Sequence, residues 1–203
     1  MFELTMQPKE KASEKTTTEV KKSRRATVLK RNNRNLYRRA YGETVLMDIT
    51  KGDNFKDGDC YNYITGGDVD GLSFLRLILR KQNIEHLLFS TWCMASEDIY
   101  EIEEWLNEGR IKKVDAYVGE IFPGTYKLEY ALLKTIINKY GGEVCVFKNH
   151  SKIFAGVGDK FSFGIQSSAN INTNPRTENA CIQIGADIYN FYNEYFKGVN
   201  SFE

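Results

Sequence analysis

NHSKIFAGVGDKFSFGIQSSANINTNPRTENACIQI, residues 149–184, contains apolar runs of strand length separated by polar turns. Phe161–Ser167 and Ala180–Gly185 read as strands. Asn149–Phe154 reads as a continuation or partner of a strand at Glu143–Phe147. His150 and Lys152 stand two apart in that expected strand, so both side chains leave the same face. Phe161–Ser167 runs into the polar cluster Ser167-Ser168-Ala169-Asn170, and Glu178 precedes the last strand.

Upstream the pattern alternates. Val45–Ile49, Tyr61–Thr65, His86–Cys93 and Val114–Phe122 read as strands. Leu72, Leu75, Ile78 and Leu79 have helical spacing, as do Ile99, Ile102, Trp105 and Leu106 after the opening Ser96-Glu97-Asp98. Leu128, Leu132, Ile136 and Tyr140 line another helix, stopped by Gly141-Gly142. A last helix places Ile188, Phe191, Tyr192 and Tyr195 on one face. Strands alternating with amphipathic helices predict an α/β domain, with a mixed sheet carrying helices on both faces.

The net charge of +1 conceals an asymmetry. Residues 1–40 carry twelve Lys or Arg against four Glu, a net of +8, and the rest carries −7. Residues 1–42 read as a basic, mobile arm, too poor in large apolar groups to offset its ordering entropy, and 43–203 as the folded domain. Such an arm suits a polyanion, gripped through counterion release. No apolar run has membrane-span length and no secretory signal opens the chain, so the expected setting is the cytoplasm, without a membrane partner. Cys60, Cys93, Cys145 and Cys181 form no CxxC pair, and buried thiols are expected rather than a disulfide or zinc framework.

His150 and Lys152 together meet two needs of phosphate-ester chemistry. A neutral imidazole can attack phosphorus, and a fixed ammonium can hold phosphate oxygens as charge moves. Hydroxyl and amide donors at Ser168 and Asn170 could complete a phosphate cradle, and a carboxylate at Glu178 could orient an imidazole. Asn172 and Arg176 lie in the polar segment between them, Arg176 being available to a second phosphate.

The series H150-S-K152, S168-A-N170 and E178 resembles the active-site half of the phospholipase D-like superfamily, over roughly residues 45–203. The resemblance implies a phosphohistidine intermediate on His150, phosphate binding by Lys152 and Asn170 assisted by Ser168, and a histidine oriented by Glu178. It implies no metal and no other cofactor. The family's fuller motif has Asp five residues after the Lys, where this chain has Val157; Asp159 comes two residues late. That departure is common in the nuclease branch. A complete family site uses two histidines, and the chain's other histidine, His86, lacks the motif. The resemblance therefore implies a homodimer with a composite site. The leading expectation is a metal-independent endonuclease acting on nucleic acid, DNA ahead of RNA. The alternative is a nucleic-acid-binding protein that has lost catalysis. A phospholipid hydrolase comes third, since no apolar interfacial helix is evident.

Overall fold

The computed structural model describes residues 18–22, 27–31, 34–171 and 176–202. It divides into two compact units, the first ending at Tyr37 and the second beginning at Arg38. In the first, β1 (Thr18–Lys22) and β2 (Thr27–Arg31) pair antiparallel.

The second unit is built on a mixed seven-stranded sheet. Its strands are β3 (Cys60–Thr65), β4 (Ile84–Thr91), β5 (Ile111–Gly119), β6 (Val144–Phe147), β7 (Ile153–Gly158), β8 (Ser162–Ser167) and β9 (Glu178–Ile184). They lie in the order β3-β9-β8-β7-β4-β5-β6. The β4–β5 and β5–β6 pairs are parallel, and every other pair is antiparallel. The α/β architecture expected from the alternating pattern is present.

Helices cover both faces. On one side lie α2 (Gly71–Lys81), α3 (Ser96–Asn107) and α5 (Lys127–Lys139), with the short α4 (Phe122–Thr125) leading into α5. Their apolar stripes, including Leu72, Leu75, Ile99, Ile102, Leu133 and Ile136, join Phe89, Val118 and Phe154 of the sheet in one core. On the other side α6 (Ala186–Lys197) sets Tyr192 and Phe196 against Leu88, Tyr117 and Ala155. Among the described residues no helix is long and apolar enough to cross a membrane.

Several local expectations are corrected. Val45–Ile49 is not a strand but the end of α1 (Arg34–Ile49). Burial recurs there at Gly42, Leu46 and Thr50, a helical spacing, while Val45 and Ile49 are exposed. On α6, Phe191 and Tyr195 face solvent rather than the core. The strand expected at Asn149–Phe154 begins only at Ile153, and it pairs with β4 and β8 rather than β6. Among the thiols, Cys93 is buried, Cys60 is exposed, and Cys145 and Cys181 are half-buried.

Candidate active site

The sheet topology gathers the chemistry-bearing residues on one rim. Parallel β4, β5 and β6 end there, at Thr91, Gly119 and Phe147. Antiparallel β7 starts there at Ile153, β8 ends there at Ser167, β9 starts at Glu178 and β3 ends at Thr65. His150, Lys152, Ser168 and Asn170 are therefore neighbours of one edge, although they come from two different connections, β6–β7 and β8–β9. The carboxyl ends of parallel strands are the usual place for a ligand in open α/β sheets.

His150 and Lys152 occupy the loop leading into β7, not a strand. Alternation does not set their directions. Asn149, which the sequence reading passed over, does so instead. It is 6% exposed, and its side-chain amide donates to Ser90 Oγ (2.9 Å), the Thr91 carbonyl (3.1 Å) and the Tyr117 carbonyl (3.0 Å). Its Oδ1 accepts from the Ser151 amide at 2.9 Å and the Ser151 hydroxyl at 2.7 Å. The Asn149 amide N–H meets Glu120 Oε2 at 3.3 Å. One buried side chain thus ties the H-x-K loop to the ends of β4 and β5. Gly119 permits this approach: a Cβ there would stand 2.6 Å from the Trp92 ring, 2.9 Å from its carbonyl and 3.1 Å from the Asn149 carbonyl. The signal available in sequence was an Asn and a Gly at the ends of apolar runs, which is too common to select them.

The His150 ring is exposed and tilts against Trp92, centroids 5.7 Å apart. The Lys152 ammonium reaches His150 Nδ1 at 3.2 Å and the His150 carbonyl at 2.7 Å. Partial burial pushes the Lys152 amine below the ordinary lysine range, partly offset by the charge of Glu178 and by Cys93. Buried Cys93 belongs to the same rim: burial pushes its thiol up, while Tyr126 and Lys152 pull it back.

Ser168 and Glu178 come together as well. The Ser168 hydroxyl donates to Glu178 Oε2 and accepts the Asn179 amide N–H at 2.9 Å. The Ser167 amide bonds the Lys152 carbonyl at 3.1 Å, joining this cluster to the H-x-K loop. Asn170 Oδ1 is buried and has no hydrogen-bond partner among the described residues, a state that calls for a cause. Thr65, opposite Glu178 in the β3–β9 register, has a buried unpartnered Oγ1 and was also missed in sequence. Arg176 is exposed just before β9, whereas Asn172 lies outside the described residues. Among the described residues, no three His, Cys, Asp or Glu side chains are grouped to hold a metal.

The motif departures map elsewhere. Val157 pairs with His86 within the sheet, five residues beyond Lys152 and so about 16 Å from it along the strand. Asp159 lies farther still, its amide bonded to the Asn83 carbonyl at the opposite rim. Neither position can reach His150. His86 is held by Asp115 and Tyr189, each at 2.7 Å.

No protein-family model matches this chain, and no curated protein matches it in sequence. Its similarity is to solved structures. Polyphosphate kinase from Porphyromonas gingivalis aligns with a TM-score of 0.53 at 14% identity, over 68% of this chain and 25% of that one. NucT from Helicobacter pylori aligns with a TM-score of 0.52 at 17% identity, over 68% of this chain and 94% of that one. This chain thus matches a quarter of the kinase's length and nearly all of NucT. In both cases the likeness is one of fold. The mixed sheet with its two helical layers is shared with these two structures, and it is the fold class that the alternating pattern led us to expect.

Proposed function

We propose that this chain is a metal-independent phosphodiesterase acting on nucleic acid, DNA ahead of RNA, through a phosphohistidine on His150. The observation that carries this reading is the rim itself. An exposed imidazole and a lysine stand 3.2 Å apart on a loop pinned by buried Asn149, beside the Ser168–Glu178 pair. Support comes also from Asn170, two residues beyond Ser168, whose buried side-chain oxygen has no partner among the described residues.

The geometry suggests how attack begins. An ammonium at His150 Nδ1 makes that nitrogen the acceptor and leaves the ring proton on Nε2. An arriving phosphate draws Lys152 onto its own oxygens, freeing Nδ1 to carry the proton and Nε2 to present its lone pair. The Nε2–phosphorus bond then forms as the ester oxygen leaves. That oxygen takes a proton from a second imidazole, and water later displaces the histidine. His86, fixed by Asp115 and Tyr189, is not available for that role. The second imidazole is accordingly assigned to His150 of the partner subunit in a homodimer. The match to nearly all of NucT supports a chain that holds a single such unit.

The decisive test is cleavage of plasmid, single-stranded DNA and RNA in excess EDTA, wild type beside His150→Ala. Cleavage by wild type alone supports the proposal. Binding without cleavage of any substrate would instead favour a nucleic-acid-binding protein on the same fold. That second reading draws on one observation: the Glu178 carboxylate receives the Ser168 hydroxyl rather than a histidine.

A further inference from the structure

Far from the H-x-K loop, the outer strands of the sheet bring two thiols together. Among the described residues β3 is an edge strand, with β9 as its one sheet neighbour. Cys60 pairs with Gln183 and Asn62 with Cys181, so the cysteines are diagonal neighbours across the ladder. Their sulfurs lie 3.5 Å apart. The Asn62 amide lies 3.9 Å from Cys60 Sγ, and the Gln183 amide 3.8 Å from Cys181 Sγ. Each sulfur therefore has a side-chain donor of its own, positioned to stabilise negative charge. Cys60 is exposed and Cys181 half-buried.

We propose that Cys60 and Cys181 form a reversible redox site whose oxidant is a hydroperoxide. Exposure makes Cys60 the sulfur that meets peroxide. Its thiolate attacks the O–O bond; an S–O bond forms, the O–O bond breaks, and the departing oxygen leaves as water or alcohol after taking a proton. The resulting sulfenic acid on Cys60 is then attacked by Cys181 sulfur. The S–S bond forms, the S–O bond breaks, and the hydroxide leaves as water with the Cys181 proton. The two thiols give up two electrons, and the peroxide takes them.

Burial and the neighbouring Cys60 both push the Cys181 thiol up, which suits it to wait as the resolving partner rather than react first. Closing the sulfurs to about 2.05 Å requires a small displacement, and an edge strand held on one side only can supply it. Diagonal cross-strand positions stand about 7–8 Å apart. That lies beyond the usual 4.4–6.8 Å Cα span of a disulfide, roughly speaking, so the bridge is strained and readily reduced. Nothing in this chemistry depends on the role proposed for His150.

The test is graded hydrogen peroxide on the full-length protein, followed by alkylation of remaining thiols and peptide mapping. The expected product is an intramolecular Cys60–Cys181 peptide, with Cys93 and Cys145 still alkylated and the bridge reversed by dithiothreitol. In Cys181→Ser, Cys60 should stop at the sulfenic acid and be captured by dimedone. Four outcomes overturn the proposal: no oxidation, first oxidation at Cys93 or Cys145, overoxidised Cys60 beside alkylated Cys181, or Cys60–Cys60 links between chains. Wild type alone decides among these, so the result does not depend on how the variant folds.

Discussion

The chain has two histidines, and the sheet places them at opposite rims in opposite circumstances. His86 is closed: Nε2 meets Asp115 at 2.7 Å and Nδ1 meets the Tyr189 hydroxyl at 2.7 Å. Asp115 also contacts Lys113 at 3.2 Å and accepts the Glu143 amide. This cluster fastens α6 to the sheet, and both of its imidazole nitrogens are spent on structure. His150 is open. Its fixed position comes from the backbone of an anchored loop, its ring is exposed, and Nε2 has no hydrogen-bond partner among the described residues. A histidine whose nitrogens are both satisfied stabilises; one positioned by its neighbours with a nitrogen left over can react.

The contrast can be broken most sharply at the histidines themselves. His150→Ala should lower nucleic-acid cleavage by about a thousandfold or more while leaving the urea midpoint near that of wild type. His86→Ala should do the reverse. It should cost roughly 1–3 kcal/mol of stability, because Asp115 and Tyr189 lose a half-buried partner, and should leave kcat little changed. Equal effects of the two variants on rate would dissolve the distinction.

Asn149→Ala should join the two phenotypes. Losing a buried amide with several partners costs about 2–4 kcal/mol and frees the loop, so both the urea midpoint and the rate fall. A variant that unfolds more easily but cleaves normally would show that the anchor serves stability alone.

Two pH effects sharpen the comparison further. Burial alone would raise the Asp115 carboxyl, but the bonds from His86 and the Glu143 amide outweigh it and hold it below the ordinary range. Its folded value therefore lies below its unfolded one. The stability it contributes is fully present above the unfolded value of about 4 and is lost as pH falls through the depressed folded value. Acid titration of wild type against His86→Ala should show that loss in wild type and a smaller one in the variant. At the rim that carries His150, burial lowers the Lys152 amine. The charged form is the one that holds phosphate, so the alkaline limb of kcat/KM should fall below the ordinary lysine value of about 10.4.

The smallest effect is expected from Val157→Asp, which supplies the acid of the fuller family motif. Val157 pairs with His86 toward the far rim, so the change should alter cleavage by no more than about twofold while disturbing a half-buried strand position. A large gain in rate would mean that the far rim speaks to the near one.

Much of this arrangement was legible in sequence because it rests on periodicity. The apolar stripes of α2, α3 and α5 and the runs at β4, β5, β8 and β9 declared themselves, and H-x-K with Ser168, Asn170 and Glu178 marked the rim. What was hidden depended on contacts distant along the chain. Val45–Ile49 looked like a strand because four apolar residues among five mask the burial spacing of Gly42, Leu46 and Thr50. Asn149 could not be singled out, since its value lies in reaching Ser90, Thr91 and Tyr117. Cys60 and Cys181 are 121 residues apart and meet only through the register of β3 on β9. Phe191 and Tyr195 have the spacing of a core stripe, yet α6 packs on Tyr192 and Phe196.

The central claim is that His150 alone of the two histidines forms a covalent bond to phosphorus. It is tested by mixing wild type, His86→Ala and His150→Ala with labelled DNA in EDTA, quenching with alkali, and mapping any protein–DNA adduct. The account predicts an acid-labile, alkali-stable adduct on His150 in wild type and in His86→Ala, and none in His150→Ala. An adduct on another residue, or cleavage that survives in His150→Ala, would contradict it.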